Sequence, residues 1–242
     1  MALTTSSIAF FRAWHDRGSR GSVYVFSKTS TGSWTQHQKL APASGPSQSN
    51  HNHGNYGHSV AISDSMLAVK APSTYGKLGS QRGTVYIHKK GSNGQFVETH
   101  LLSTPEGPDT ESFHNPQVAL LDDFVIVGAP RSEKAYVFKS NGSGGYYQTT
   151  ELTPSDDGPL QSNFGLKVDG RGTDVLVTDR DNLRTYLFSY DGEVWKERAK
   201  FDGHQSAFAG NSIVVHSPLD FRTNRGSYGG QVSFYDLVCE NV

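Results

Sequence analysis

Cysteine is almost absent. The single Cys239, near the end of the 242 residues, excludes internal disulfides and any cysteine-based metal cluster, and it reads as a bystander thiol. Net charge is also missing: 22 Lys+Arg stand against 23 Asp+Glu, so no global field draws the chain to nucleic acid or to an anionic membrane. No apolar run approaches the roughly 18 residues of a membrane-spanning helix, so no membrane insertion is expected. The segment 1–14 has neither a basic start nor a leader-like apolar stretch, and the chain reads as soluble. Helical stretches rich in Ala, Leu, Glu and Lys are lacking as well. With 26 Gly and 10 Pro beside frequent Val, Tyr, Phe and Thr, an α-rich fold is excluded. Low-complexity disorder is excluded too, because aromatics are 11% of the chain and recur at fixed places.

What the chain does have is a period. One strand-like run occurs five times: Val23-Tyr24-Val25-Phe26, Val85-Tyr86-Ile87-His88, Ala135-Tyr136-Val137-Phe138, Thr185-Tyr186-Leu187-Phe188 and Val232-Ser233-Phe234-Tyr235. Aligning Tyr24, Tyr86, Tyr136, Tyr186 and Phe234 gives spacings of 62, 50, 50 and 48. A second aromatic column, Trp34, Phe96, Tyr147 and Trp195, drifts with the first. Between the columns lie Thr31-Gly32, Asn93-Gly94, Asn141-Gly142-Ser143-Gly144 and Asp191-Gly192, residues that accept the positive φ of tight hairpins. Two further short strands precede each run, such as Val60-Ala61-Ile62 then Leu67-Ala68-Val69. The unit is therefore four short antiparallel strands in about 50 residues, the size of a propeller blade. The repeats span approximately 1–40, 56–102, 116–152, 164–201 and 206–238.

Phe164-Gly165 and Tyr56-Gly57-His58-Ser59-Val60-Ala61 open a repeat, and Gly128-Ala129-Pro130, Lys70-Ala71-Pro72 and Ser217-Pro218 close its second strand. With Gly83-Thr84-Val85-Tyr86 and Gly21-Ser22-Val23-Tyr24-Val25-Phe26 as third strands, the chain resembles the FG-GAP repeat of integrin α-like β-propellers over nearly its whole length. The resemblance implies an all-β propeller with five four-stranded blades, the last incomplete, in one domain. It also implies an extracellular or cell-surface setting. Either five blades close a ring by packing, or the chain is part of a larger ring whose edge pairs with another chain.

Loop lengths direct attention to one face. The 2–3 and 4–1 connections are long and chemically varied, whereas the 1–2 and 3–4 connections are short turns. On the long-loop face lie Arg20, Arg82, Arg131, Arg184 and Arg225, whose guanidinium groups suit carboxylate or sulfate, or pair with loop acids such as Asp16, Glu133, Asp179 and Asp220. Trp14, Tyr75, Phe221 and Tyr228, with His15 nearby, supply flat aromatics that stack on sugars, or else pack between blades. The cluster His51-Asn52-His53-Gly54-Asn55-Tyr56-Gly57-His58 reads as a polar insertion in the longest repeat rather than a metal site. The 1–2 loops lack the alternating acids of a calcium loop, which departs from integrin-like relatives. No metal or cofactor is expected.

No Gly-x-Ser-x-Gly elbow, phosphate-binding glycine loop or His-Glu-x-x-His helix is present, so no enzymatic activity is expected, although His15-Asp16 and His204 could join a serine in space. The resulting expectation is a non-catalytic, lectin-like recognition module that binds a glycan or a surface protein through the long-loop face. The alternative is a structural subunit that docks to other chains, as an oligomer or larger assembly.

Overall fold

The computed structural model describes residues 2–3, 7–11, 21–42, 56–71, 84–102, 117–143, 145–156, 162–218 and 230–237. They form five antiparallel sheets in chain order. Blade 1 consists of β1 (Ala2–Leu3), β2 (Ser7–Phe11), β3 (Val23–Lys28) and β4 (Trp34–Leu40). Blade 2 consists of β5 (Ser59–Ile62), β6 (Met66–Ala71), β7 (Thr84–Lys90) and β8 (Phe96–Leu102). Blade 3 has β9 (Val118–Leu120), β10 (Phe124–Ala129), β11 (Lys134–Ser140) and β12 (Tyr146–Leu152), with a 3-10 turn at Pro130–Ser132 between β10 and β11. Blade 4 has β13 (Phe164–Arg171), β14 (Asp174–Asp179), β15 (Arg184–Tyr190) and β16 (Trp195–Asp202). Blade 5 has three strands: β17 (Gln205–Ala209), β18 (Ser212–Pro218) and β19 (Gly230–Asp236). This is a β-propeller with an incomplete last blade.

The second strands explain why the sheets stack as blades. Both β6 and β10 are buried along their whole length, so alternate side chains face opposite neighbours and neither face meets water. In β10, Val125 and Val127 enter an apolar cluster with blade 2, whereas Ile126 enters one with blade 4. Four such clusters fill the joints between blades 1 and 2, 2 and 3, 3 and 4, and 4 and 5. Each fully buried Val, Ile or Leu contributes about 1.5–3 kcal/mol relative to exposure.

A bulge in every complete blade lets the outer strand serve two joints. The β3–β4, β7–β8, β11–β12 and β15–β16 ladders each shift register once, in the middle of the pair. Side chains six apart on a regular strand face the same way; across the extra residue they face opposite ways. Thus Phe96 packs toward blade 1 and Leu102 toward blade 3, and Tyr146 and Leu152 repeat the arrangement one blade on. The aromatic of the fourth strand in blade 3 is therefore Tyr146, opposite Ser140, and not the exposed Tyr147 of the sequence alignment.

The opening Phe-Gly pair has a steric reason. The Phe164 ring stands edge-on to Tyr186 at 5.3 Å, and Tyr56 stands edge-on to Tyr86 at 5.1 Å. Gly165 has φ +89°, and a Cβ there would lie 2.2 Å from the carbonyl oxygen of Lys134, so only glycine lets β13 approach blade 3.

The last repeat departs from its sequence alignment. Tyr186 pairs with Val177 and Leu187 with Leu176; in blade 5 the matching pairs are Ser233 with Val215 and Phe234 with Val214. Ser233, not Phe234, occupies the tyrosine position. Phe234 occupies the place of Leu187 and faces away from blade 4.

Candidate active site

The first strands converge on an axial cavity of about 940 Å³. Its wall is built from β5, β9 and β13 and from the approach to β17, one strand per blade. This convergence on a hub separates a propeller from a sandwich. The apolar part of the wall is Val60, Val118, Leu120 and Val168; the polar part is His58, Gln117, Lys167, Thr178, Arg180 and His204. The polar side chains gather at strand beginnings or at the end of β14, where the 2–3 and 4–1 connections emerge.

Two of the charged groups are committed to structure. The Lys167 ammonium donates to the carbonyl of Ser206, tying β13 to β17 across a blade joint. Asp169 accepts the Phe208 amide at 2.9 Å and the Gly170 amide at 3.1 Å. Arg180 and His204 remain. Arg180 sits in the turn after β14, and its Nε lies 3.4 Å from Asp181. Asp181 is itself held by the side-chain amide of Asn163 at 2.5 Å, and its own amide donates to the buried Asp179 at 3.1 Å. The guanidinium is thereby fixed by one edge while its side chain stays more than half exposed at the cavity. Leu183, at φ +52°, closes this turn by donating its amide to the Arg180 carbonyl.

His204 is half-buried, and its Nδ1 is enclosed with no hydrogen bond among the described residues. Burial, then the nearby positive charges of His216 and Arg180, lower its pKa below the ordinary 6.5. A neutral imidazole beside a guanidinium can take a proton from water while the cation receives an anion. Among the described residues no group of three or more His, Cys, Asp or Glu is placed to hold a metal ion.

Of the ten ligand-binding residues expected from sequence, two are described. Arg131 lies exposed in the Pro130–Ser132 turn. Arg184 begins β15 and forms an ion pair with Asp156, so its fork is engaged internally. Neither lines the axial cavity. Trp14, His15, Arg20, Tyr75, Arg82, Phe221, Arg225 and Tyr228 lie outside the described residues. The sequence drew attention to His58 as part of a polar insertion and to His204 as a residue that could join a serine in space; only the radial arrangement places both at one hub.

No protein-family model matches the chain, and no curated protein does. Solved structures match it in fold. A candidate 6-phosphogluconolactonase from Bacteroides uniformis superposes with a TM-score of 0.61 over 98% of this chain and 66% of its own, at 11% identity. A second candidate 6-phosphogluconolactonase, from Bacteroides fragilis, gives 0.55 over 96% and 64%, at 10% identity. A Lactobacillus plantarum protein gives 0.54 over 89% and 68%, at 14% identity. The chain spans just under two thirds of the length of both Bacteroides structures.

These likenesses correct the expectation that the chain is no enzyme. Two of the propellers it superposes on are named for hydrolysis, so the scaffold gives no ground for a non-catalytic recognition module or a purely structural subunit. The physical reason for the error is local. Side chains at a propeller hub come singly from different blades, so they leave no contiguous motif of the Gly-x-Ser-x-Gly or His-Glu-x-x-His kind in the sequence.

Proposed function

We propose that the chain is a hydrolase that opens a cyclic sugar ester carrying an anionic group, with the axial cavity as its site. The observation that carries this reading is the meeting of His204 and Arg180 at the cavity, a neutral base beside a half-committed cation. In the reaction, water adds to the ester carbonyl as His204 takes its proton. The bond from that carbonyl to the ring oxygen then breaks, and the proton passes to the departing oxygen. Arg180 receives the anionic group or the charge that develops on the carbonyl oxygen. The fold likeness to candidate 6-phosphogluconolactonases supports the substrate class. An FG-GAP origin of the repeat belongs to the same proposal. It is supported by the matching edge-on stacks of Phe164 and Tyr56 on the third-strand tyrosines.

The test is a pH-stat assay of ring opening with 6-phosphoglucono-δ-lactone and with the unphosphorylated lactone, corrected for spontaneous hydrolysis. Activity on the phosphorylated lactone, lost in His204→Gln, is expected. No rate above background on either compound, with wild type folded, overturns the proposal.

A further inference from the structure

The tripeptide Ser-Asn-Gly occurs twice, as Ser92-Asn93-Gly94 in the β7–β8 hairpin and as Ser140-Asn141-Gly142 in the β11–β12 hairpin. Both asparagines are exposed, and both glycines have positive φ, at +80° and +76°. The covalent chemistry of the two sites is therefore matched. What differs is the hydrogen bonding around them.

An Asn-Gly pair can react with itself. The glycine amide nitrogen adds to the carboxamide carbon, and with no Cβ on glycine nothing obstructs the five-membered ring that forms. The step needs an acceptor for the proton of that nitrogen, donors for the charge on the carboxamide oxygen, and a side-chain nitrogen free to leave. At Asn141 all three are in place. The Gly142 amide donates to Oγ of Ser140 at 3.2 Å, so its proton already points at a hydroxyl that can accept it and pass one on to water. Oδ1 of Asn141 accepts from the Ser143 amide at 3.0 Å, the Ser143 hydroxyl at 2.9 Å and the Gly145 amide at 2.9 Å. Three donors on one oxygen make an oxyanion cradle in miniature. Nδ2 donates no hydrogen bond among the described residues, and a Cβ on Gly142 would meet nothing within 4 Å.

At Asn93 the same groups are tied differently. The Gly94 amide donates to the Gly91 carbonyl at 2.9 Å, an acceptor with no proton to exchange, and the Gly94 carbonyl meets His37 of blade 1 at 3.2 Å. Among the described residues, Oδ1 of Asn93 accepts only the Gln95 amide, at 3.0 Å.

We propose that Asn141 is a site of self-catalysed deamidation. The Gly142 nitrogen bonds to Cγ of Asn141 as its proton leaves through Ser140. The Cγ–Nδ2 bond then breaks, and Nδ2 takes up a proton and departs as ammonia. Water opens the resulting cyclic imide at either carbonyl, which leaves aspartate or isoaspartate at 141 and a new negative charge on the hairpin. This hairpin is a 3–4 connection, on the side of the propeller opposite the 2–3 and 4–1 connections, so the conversion is independent of the proposed hydrolysis.

The experiment incubates the full chain at pH 8 and 37 °C, folded and in urea, and follows both sites by peptide mass spectrometry with isoaspartate identified by fragmentation. In the folded chain Asn141 is expected to convert roughly tenfold faster than Asn93, the worth of two further hydrogen bonds. In urea the two rates converge, because the sequence at the two sites is the same. Ser143→Ala, at the exposed tip, slows Asn141 by about threefold or more in the folded chain and has no effect in urea. The comparison within the wild-type chain decides the matter without any variant. The proposal is overturned by a folded-state rate at Asn141 equal to or below that at Asn93, by a rate that Ser143→Ala leaves unchanged or raises, or by aspartate at 141 without isoaspartate.

Discussion

Tyr186 donates its phenolic hydrogen to Oδ1 of Asp156 at 2.8 Å, which ties the strap leaving blade 3 to the third strand of blade 4. Arg184 pairs with the other oxygen of the same carboxylate, and Lys200 approaches at 3.4 Å. Burial favours the neutral acid, but the Tyr186 hydroxyl and the Lys200 ammonium outweigh it and hold Asp156 below the ordinary carboxylate range. Because the folded pKa is depressed, the stabilisation is present above the unfolded value near 3.9 and is lost as pH falls through the folded one. Asp156→Ala is expected to cost about 1–3 kcal/mol at pH 7, mostly through the stranded tyrosine hydroxyl, because the Arg184 pair is screened by solvent. Urea melts at pH 7 and pH 3 check this: the difference between wild type and variant narrows at the lower pH.

For the cavity, the sign of the His204 shift fixes the shape of the pH profile. A base with lowered pKa is already neutral below pH 6.5, so kcat/KM for lactone opening rises through an acid limb below that value and is level at neutrality. Arg180→Ala removes one of the repelling charges, so the limb moves up toward 6.5 while KM for the phosphorylated lactone rises. A variant with the limb unmoved would mean that Arg180 does not face His204. His204→Gln should lower kcat by roughly 10²–10⁴-fold, with the thermal midpoint little changed.

The blades were legible because their signals are local. Alternating Val, Tyr, Ile and Phe in the third strands and Gly at the hairpins state strand and turn without reference to distant residues, and the nineteen strands among the described residues follow in the expected order. Phe234 shows the limit of matching by residue type. One step along the strand reverses the face, so an aromatic aligned by kind landed in the Leu187 register, which only the β18–β19 ladder reveals. The cavity was less legible still. Thr178 near the end of β14, Arg180 in the turn after it and His204 in the connection before β17 come from blades 4 and 5, and nothing in their spacing states that these blades converge on one axis.

Lys70 shares the sign of the Asp156 pH dependence, in a more alkaline window, but its burial costs stability where the Asp156 network adds it. It is wholly buried in β6, and burial drives its pKa well below 10.5. The unfolded chain therefore binds a proton that the folded chain resists, and this contribution makes stability rise with pH from the depressed folded value up to the unfolded one. Lys70→Met keeps the length and removes the charge. The expected outcome is a higher thermal midpoint at pH 6–7 and a flatter dependence between pH 7 and 9. A lower midpoint at both ends would show that the ammonium serves the fold.

Gly165 and Gly142 share a positive φ, at +89° and +76°, yet differ in what surrounds them. A Cβ on Gly142 meets nothing within 4 Å, so Gly142→Ala costs only the backbone strain, about 1 kcal/mol. A Cβ on Gly165 lies 2.2 Å from the Lys134 carbonyl and 3.0 Å from the Ala129 amide nitrogen, both backbone atoms of blade 3. Neither can rotate away, so β13 must withdraw and lift Phe164 from its place against Tyr186. Gly165→Ala is therefore expected to cost at least about 3 kcal/mol, the strain together with part of a buried aromatic contact. Denaturant melts of the two variants side by side check the difference. Equal losses would mean that φ alone, rather than the close approach of the two blades, requires glycine at the opening of the repeat.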